Sequence, residues 1–418
     1  MSKTLMIKAM VLGAVACAFS ATGFAADVQN GHGQGVADST TEVNGAKHEA
    51  VRSSWMDRTD IVVGVGMKDS KETHTQHHYV GESSMRHDDL NTVTSKSLKS
   101  TEINKLYIET LQPITHYDEN AKSVVFVQGR IGRSGEKISS YKLDSYWEPA
   151  RPAGTFITHD KQTDKKESLG MNANIGIGYR RLSKDEHAYV GVNAFYDHVF
   201  KGGYKRVSGG VEYVAGLNEF HANLYRNLGT DDRKYIGLRG RSNVLGDPAG
   251  LYPYGLDSNQ GLFNYGVVSY ENHWMLSEKV AASGFDVGYS RTFKNARWAR
   301  VYADYYNWRG REAVRVGYHK LKKRDAIKGF KVGAEFHITP HLTLDAGYQT
   351  ASHHLSGPYA TLKYTIGTSK FAWHGGKHSE NAITTARSKM LDKVHRSDMV
   401  VQEVEEETYD HGVVDVGL

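Results

Sequence analysis

From residue 60 onward, apolar and polar residues alternate with a period of two in strand-length segments separated by turn-forming residues. In residues 171–179, Met171, Ala173, Ile175, Ile177 and Tyr179 fall on one face, and Asn172, Asn174, Gly176 and Gly178 on the other. Two later segments repeat the split. Phe330, Val332, Ala334, Phe336 and Ile338 oppose Lys331, Gly333, Glu335 and His337, while Leu342, Leu344, Ala346 and Tyr348 oppose Thr343, Asp345, Gly347 and Gln349. Charge keeps to one parity, which suits a strand with one face toward lipid and the other toward water. The pattern predicts about twelve such strands, starting near Asp60, Ile103, Lys122, Met171, His187, Arg206, Asn218, Ser283, Trp298, Lys328, His341 and Ser356.

Between these strands, short and long connections alternate. Residues 113–121, 183–186, 215–217, 293–297 and 339–340 are short; 67–102, 134–170, 230–282 and 310–327 are long and read as loops. Transmembrane barrels have short turns on the periplasmic side and long loops outside, so the predicted fold is an all-β, antiparallel transmembrane barrel. Lipid-facing aromatics should then gather into two girdles. Descending strands carry Tyr179, Tyr213, Tyr289, Phe336 and Tyr364 near their lower ends, and ascending strands carry Tyr196, Tyr305 and Tyr348 near their upper ends. A soluble β-sandwich shares the alternation but has no reason to sort its aromatics this way.

Composition agrees with many strands and few helices: 43 Gly and 25 Tyr against 7 Pro in 418 residues. Mean hydropathy is negative, and after the N-terminus no run approaches the roughly 20 apolar residues of a membrane helix; a barrel needs none. Lys3 and Lys8, the apolar residues 9–19 and the small residues ending at Ala25 read as a signal peptide over 1–25, so the mature chain is exported. The single Cys17 lies within that signal, with Ala14 a poor residue for a lipoprotein site. The formal charge of +5 gives no argument for nucleic acid.

Residues 26–58 read as a flexible periplasmic lead, 59–368 as the barrel, and 369–418 as a linker or plug tail. Within the tail, Ile383, Ala386, Met390 and Val394 make one helical stripe over about 381–396; an extended stretch follows to Val404 and then a short, mobile end.

The run NIGIGYRRLSKDEHAYVGVNAFYDHVF, residues 174–200, with GGVEYVAG at 209–216, resembles the inverse autotransporter β-domain. LDKVHRSDMVVQEV, residues 391–404, is similar to the helix and extended segment that follow the barrel in intimin- and invasin-like proteins. The resemblance implies an outer-membrane barrel that takes its own C-terminal linker through the pore. It also implies dealings with periplasmic chaperones, the barrel assembly machinery, outer-membrane lipid and lipopolysaccharide, and a role in adhesion or surface display toward an unknown host or bacterial ligand. Relatives continue into immunoglobulin-like domains of about 100 residues; with about 50 residues after the last strand, a folded passenger is expected to be absent. The lead is likewise too short for a peptidoglycan-binding module.

Inward parity places Arg130, Arg180, Glu212, Asp286, Arg300, Asp304, Lys331, Glu335, Asp345 and Lys363 in the lumen. A polar lumen is ordinary barrel construction, yet mixed signs suit a pore that holds a polar segment better than an ion-selective channel. Arg387, Lys389, Lys393, His395 and Arg396 of the tail are expected to meet Glu212, Asp286, Asp304 and Glu335 there. A general outer-membrane channel is the alternative. His74, His77, His78, His353 and His354 fall in expected loops without an adjacent carboxylate pattern, so no metal site or cofactor is assigned. His378 and Ser379 lack the ordered third group of an outer-membrane lipase, and no catalytic residue is assigned.

Overall fold

The computed structural model describes residues 55–417 apart from 81–86, 119, 151–154, 230–233, 236–238, 246–264, 317–318, 353–355, 368–371 and 375–385. The signal peptide, nearly all of the lead, His353, His354, His378 and Ser379 lie outside the described residues. In chain order the strands are β1 (Thr59–Val80), β2 (His87–Pro113), β3 (Ser123–Arg133), β4 (Glu136–Ala150), β5 (Thr155–Ser168), β6 (Met171–Leu182), β7 (Ala188–Val199), β8 (Lys205–Ala215), β9 (Asn218–Asn227), β10 (Lys234–Tyr235), β11 (Arg239–Leu245), β12 (Tyr265–Ala281), β13 (Gly284–Phe293), β14 (Ala296–Trp308), β15 (Val314–Val316), β16 (His319–Leu321), β17 (Ile327–His337), β18 (Leu342–Ala351), β19 (Gly357–Thr365) and β20 (Val400–Gly417).

Twelve of them close a ring by antiparallel pairing in the order β1, β2, β3, β6, β7, β8, β9, β13, β14, β17, β18, β19. Pairing of β1 with β19, from Asp60 opposite Thr365 to Val65 opposite Ala360, completes it and removes both sheet edges. Alternation explains the faces. On β6 Ile175 and Ile177 are more than half exposed, whereas Asn172, Asn174 and Arg180 are buried. An exposed apolar row around a ring with a buried polar interior is the reverse of a soluble domain and matches a lipid-facing wall.

Where they are described, the long connections at 67–102, 134–170 and 230–282 are largely strand and not loop, which corrects the expectation, whereas 310–327 holds only a short hairpin. β1 continues to Val80 and β2 begins at His87, and these extensions join β5, β4, β20, β12 and β11 in one sheet beyond the ring. His74, His77 and His78 therefore sit on a strand. The extensions of β1 and β2, with β5, carry too few apolar residues to show alternation. Polar cross-strand pairs hold them instead: Lys161 with Glu72 at 2.9 Å, Ser140 with Asp164 at 2.7 Å and Thr73 with Ser95 at 3.2 Å.

The tail also departs from expectation at both ends. In the tail, helical backbone covers 386–391, residues 381–385 lying outside the described residues, and the chain is extended from Asp392, because wall side chains take the groups a continuing helix would pair internally. Nor does the chain lose structure after Val404. β20 runs to Gly417, parallel to β4 and antiparallel to β12.

Candidate functional site: the barrel lumen and its threaded tail

The tail enters the ring at the end of the short turns and leaves at the end of the long connections. At the turn end Arg387 donates to Glu186 at 2.9 Å and to the Ala121 carbonyl at 3.1 Å. The Arg387 bond, with Lys122 beside it, holds the Glu186 carboxyl down at about 2. Burial pushes the neighbouring Tyr117 hydroxyl up to about 12; it stays protonated and donates to the Arg387 carbonyl.

One turn further in, Met390 and Val394 enter an apolar patch on the inner wall made by Leu111, Val124, Phe126, Leu182, Tyr189, Phe195 and Val214. The motif residues explain this patch. A Cβ on Gly176 would collide with the Phe195 ring and one on Gly178 with the Phe126 ring, so the glycines are the space in which the two rings lie. Burying a methionine side chain contributes about 1.5 to 3 kcal/mol.

Arg180 sits beneath this patch with no exposed surface. It forms a two-point pair with Glu212, Nε to Oε1 at 2.5 Å and Nη2 to Oε2 at 3.0 Å, and its plane stacks on Phe126. Its remaining nitrogen, Nη1, donates to the carbonyls of Met390 at 2.9 Å and Asp392 at 2.6 Å. Gln128 accepts from the Val394 amide at 2.9 Å. These bonds end the helix. Extended backbone leaves its polar groups pointing sideways, and the bonds from the wall offset the cost of taking those groups out of water.

Higher in the lumen the ion pairs interlock. Asp197 accepts from Arg206 of the wall at 2.9 Å and, at two points of 2.7 Å each, from Arg396 of the tail. Arg206 also holds the Ser397 carbonyl at 3.0 Å. Tyr225 and Asp286 accept from the Ser397 amide at 2.8 and 3.1 Å, and the tail's Asp398 bridges Arg130 at 2.6 Å and Lys105 at 3.0 Å. Lys389 pairs with Glu219 and Lys393 with Asp60.

The tail cations thus meet acids, but not the expected ones, whose wall partners already engage them. Glu212 belongs to Arg180, Asp286 accepts from Asn223 and Tyr225, Asp304 faces His221 at 3.6 Å, and Glu335 pairs with Arg300 at 3.1 Å. Of the ten inward residues named from sequence, Arg130, Arg180, Asp286 and Arg300 touch the tail directly, Arg300 through His395 at 2.7 Å. Lys331 lies over the Tyr302 and Tyr359 rings, Asp345 accepts from Tyr302 at 2.5 Å, and Lys363 is 3.9 Å from Glu335. This second group lies with Arg130, Asp286 and Arg300 on a cavity of about 490 Å³ between the tail and the wall, lined mainly by β1, β2, β13, β14, β17, β18 and β19.

Sequence reasoning missed Asp60, Asp197, Arg206 and Glu219, although each lies inside or beside a strand of readable parity. The inner apolar patch was missed as well; its signal is the run Val124, Val125, Phe126, Val127, apolar on both parities. Outside the wall, Tyr213, Phe220 and Tyr289 form one aromatic row toward the turn end, where Tyr179 is also exposed. Phe336 packs on Trp298, which stacks on Trp373 of the tail at 5.2 Å, and Tyr364 stacks on His341. Toward the other end, Tyr305 lies between Phe285 and Phe330, and Tyr196 and Tyr348 are exposed.

Beyond the ring the tail is clasped by the outer sheet. Glu403 pairs with Lys137 at 2.6 Å and accepts from Tyr204 at 2.6 Å, Glu405 pairs with Lys279 at 3.2 Å, and Glu407 accepts from Tyr141. Among the described residues no three His, Cys, Asp or Glu side chains gather as metal ligands would.

The sequence profile described as "Inverse autotransporter, beta-domain" matches residues 159–398. That span covers the site's motif strands and the tail as far as Asp398. No curated protein matches the chain. A solved structure titled "Unveiling the Mechanism Behind the in-meso Crystallization of Membrane Proteins" is similar at 12% identity, over 80% of this chain and 99% of that one, with a TM-score of 0.44.

Proposed function

We propose, from the premise that this chain belongs to the inverse autotransporter β-domain family, that it carries its own C-terminal segment from the periplasm through the pore and displays it outside. Membership and the twelve-strand ring make it an outer-membrane translocator barrel, a type of protein that is not an enzyme. In this reading the turn end is periplasmic, residues 1–25 direct export, and chaperones and the barrel assembly machinery insert the ring. The outer sheet with β20 is the adhesion or display face, as in intimin- and invasin-like proteins.

One observation carries the reading: residues 387–398 exchange backbone and side-chain bonds with the wall along the whole height of the lumen. A segment that had merely fallen against a pore mouth would have no matched partner at each level. The cavity beside the tail favours a second, weaker role as a narrow water-filled path, so a small residual current is expected from the intact protein.

Single-channel recording tests the threading. Removing residues 386–418 is expected to raise conductance severalfold, and a tag after Leu418 is expected to be stained on intact cells. Unchanged conductance together with a tag confined to the periplasm would overturn the translocator reading.

A further inference from the structure

We propose that the outer surface of the barrel, at the end of the long connections, carries a binding surface for the phosphorylated headgroup of lipopolysaccharide. Four cations on five consecutive strands make it: Lys205 on β8, Arg226 on β9, Arg309 just past β14 and Lys328 on β17. The inference rests on the orientation given under Proposed function, which sets this end in the outer leaflet.

Register places the four within two residues of one level. Lys205 lies opposite His198, and Arg226 opposite Val207, two residues along from Lys205. Gly284 of β13 faces both Tyr225 and Trp308, so Arg226 and Arg309 flank the same level, and the Arg309 amide donates to the Ser283 carbonyl at 2.8 Å. Lys328 is paired with Asn307, two residues before Arg309. At about 4.8 Å between strands the row is about 19 Å long.

Parity points all four outward, because the adjacent Arg206, Tyr225, Trp308 and Ile327 are buried on the luminal side. Each of the four is exposed. Directly beneath them lies the apolar band: Leu224 is 70% exposed, Phe330 is 56% exposed, and Tyr305 packs against Phe330. The row therefore sits where hydrocarbon ends and headgroups begin.

Ordinary surface cations are interspersed with acids and pair with them. Here no Asp or Glu occupies an outward position at this end of β8, β9, β13, β14 or β17, and none of the four has a carboxylate partner among the described residues. Like charges set side by side repel unless an anion lies between them. Phosphate groups fixed on a sugar headgroup, anchored by acyl chains against Leu224 and Phe330, match both halves of the surface. An isolated phosphate would match only one.

Binding of the purified full chain is measured to three probes: lipopolysaccharide, the same lipid after phosphatase treatment, and phosphatidylglycerol vesicles. Lys205→Gln, Arg226→Gln, Arg309→Gln and Lys328→Gln combined are expected to weaken lipopolysaccharide binding by about several hundredfold. The phosphatase-treated lipid should bind the unaltered protein as weakly. Arg181→Gln with Arg291→Gln, exposed cations at the opposite end, should change nothing. If the fourfold variant does not fold, Arg309→Gln and Lys328→Gln are tested singly. Loss of binding of the unaltered protein as salt rises is also expected, since exposed charges are screened.

Undiminished binding by the variants, equal loss in the control pair, or vesicles that bind as tightly as lipopolysaccharide would overturn the inference. A tag at Asp160 separates the two readings. Stained on intact cells while the cations prove irrelevant, it sinks this surface alone; stained only after the outer membrane is opened, it sinks the orientation beneath it.

Discussion

Arg180→Met separates what holds the barrel from what holds the tail. The substitution leaves Glu212 buried and uncompensated, which costs about 3 to 5 kcal/mol in barrel stability. It also strips the Met390 and Asp392 carbonyls of their shared donor. Hydrogen bonds from a charged group contribute about 1.5 to 3 kcal/mol each, so the tail loses about 3 to 6 kcal/mol. At 1.4 kcal/mol per tenfold, that raises the ratio of open to plugged barrel by about two to four orders of magnitude. Adding Glu212→Leu removes the stranded charge and should return most of the barrel stability, because an apolar pair of similar volume is often neutral. It cannot return the two bonds to the tail. The double variant should therefore melt near the parent in heat-modifiable gel migration yet still show frequent large openings in planar bilayers. A double variant as quiet as the parent would refute the assignment of Arg180 as the lock on the tail.

Facing is checked by Val332→Arg, which sets a charge among lipid tails and should cost about 2 to 4 kcal/mol, whereas Lys331→Gln on the opposite parity should cost less. Equal penalties in urea unfolding from vesicles would show the register to be wrong. Gly178→Val drives a side chain into the Phe126 ring and should destabilise the barrel by about 1 to 3 kcal/mol, read from the temperature of its gel shift; no change would mean that the ring is free to move. The Arg387 bond to Glu186 depends on pH with a definite sign. A carboxyl held at about 2 against an ordinary 4.5 contributes fully above about 4.5 and is lost as pH falls toward 2. Openings should multiply across that window in the parent and stay constant in Glu186→Gln; identical pH profiles would remove this bond from the plug. Tags at Asp160 and Asp185 should label from opposite sides of the outer membrane, and labelling from one side would exclude a spanning ring.

The ring was legible because a lipid-facing wall must alternate, and a one-residue slip would turn every Ile and Tyr of β6 into the lumen. Eleven strands of the ring announce themselves that way; β3 does so less clearly, because Val124 and Phe126 turn an apolar face inward as well. The outer sheet does not, since β4, β5 and the extensions of β1 and β2 are built from Ser, Thr, Lys and Asp, with water available on their faces. Their ladders are held by backbone bonds and polar pairs that leave no periodic trace. A long polar connection can then be a strand as readily as a loop, and length alone does not separate them.

The plug was harder to read because its partners are chosen twice. Parity correctly turns a residue inward, but an inward acid is open to the tail only if no wall cation reaches it first. Glu212 lies across β8 and β7 from Arg180 and is taken. Asp197 lies opposite Arg206, which satisfies one oxygen and leaves the other facing the axis, where Arg396 completes the pair. Without Arg396 the Asp197–Arg206 pair would stay balanced; without Asp197 two buried guanidinium groups would face one another. At this level the arrangement is asymmetric: the Asp197–Arg206 pair balances within the wall, whereas the Arg396 charge is matched only inside it. That asymmetry suits a translocator, because the ring must be stable before the segment it carries arrives; Arg130 and Lys105, whose acid is the tail's Asp398, are the wall charges that gain most when it does.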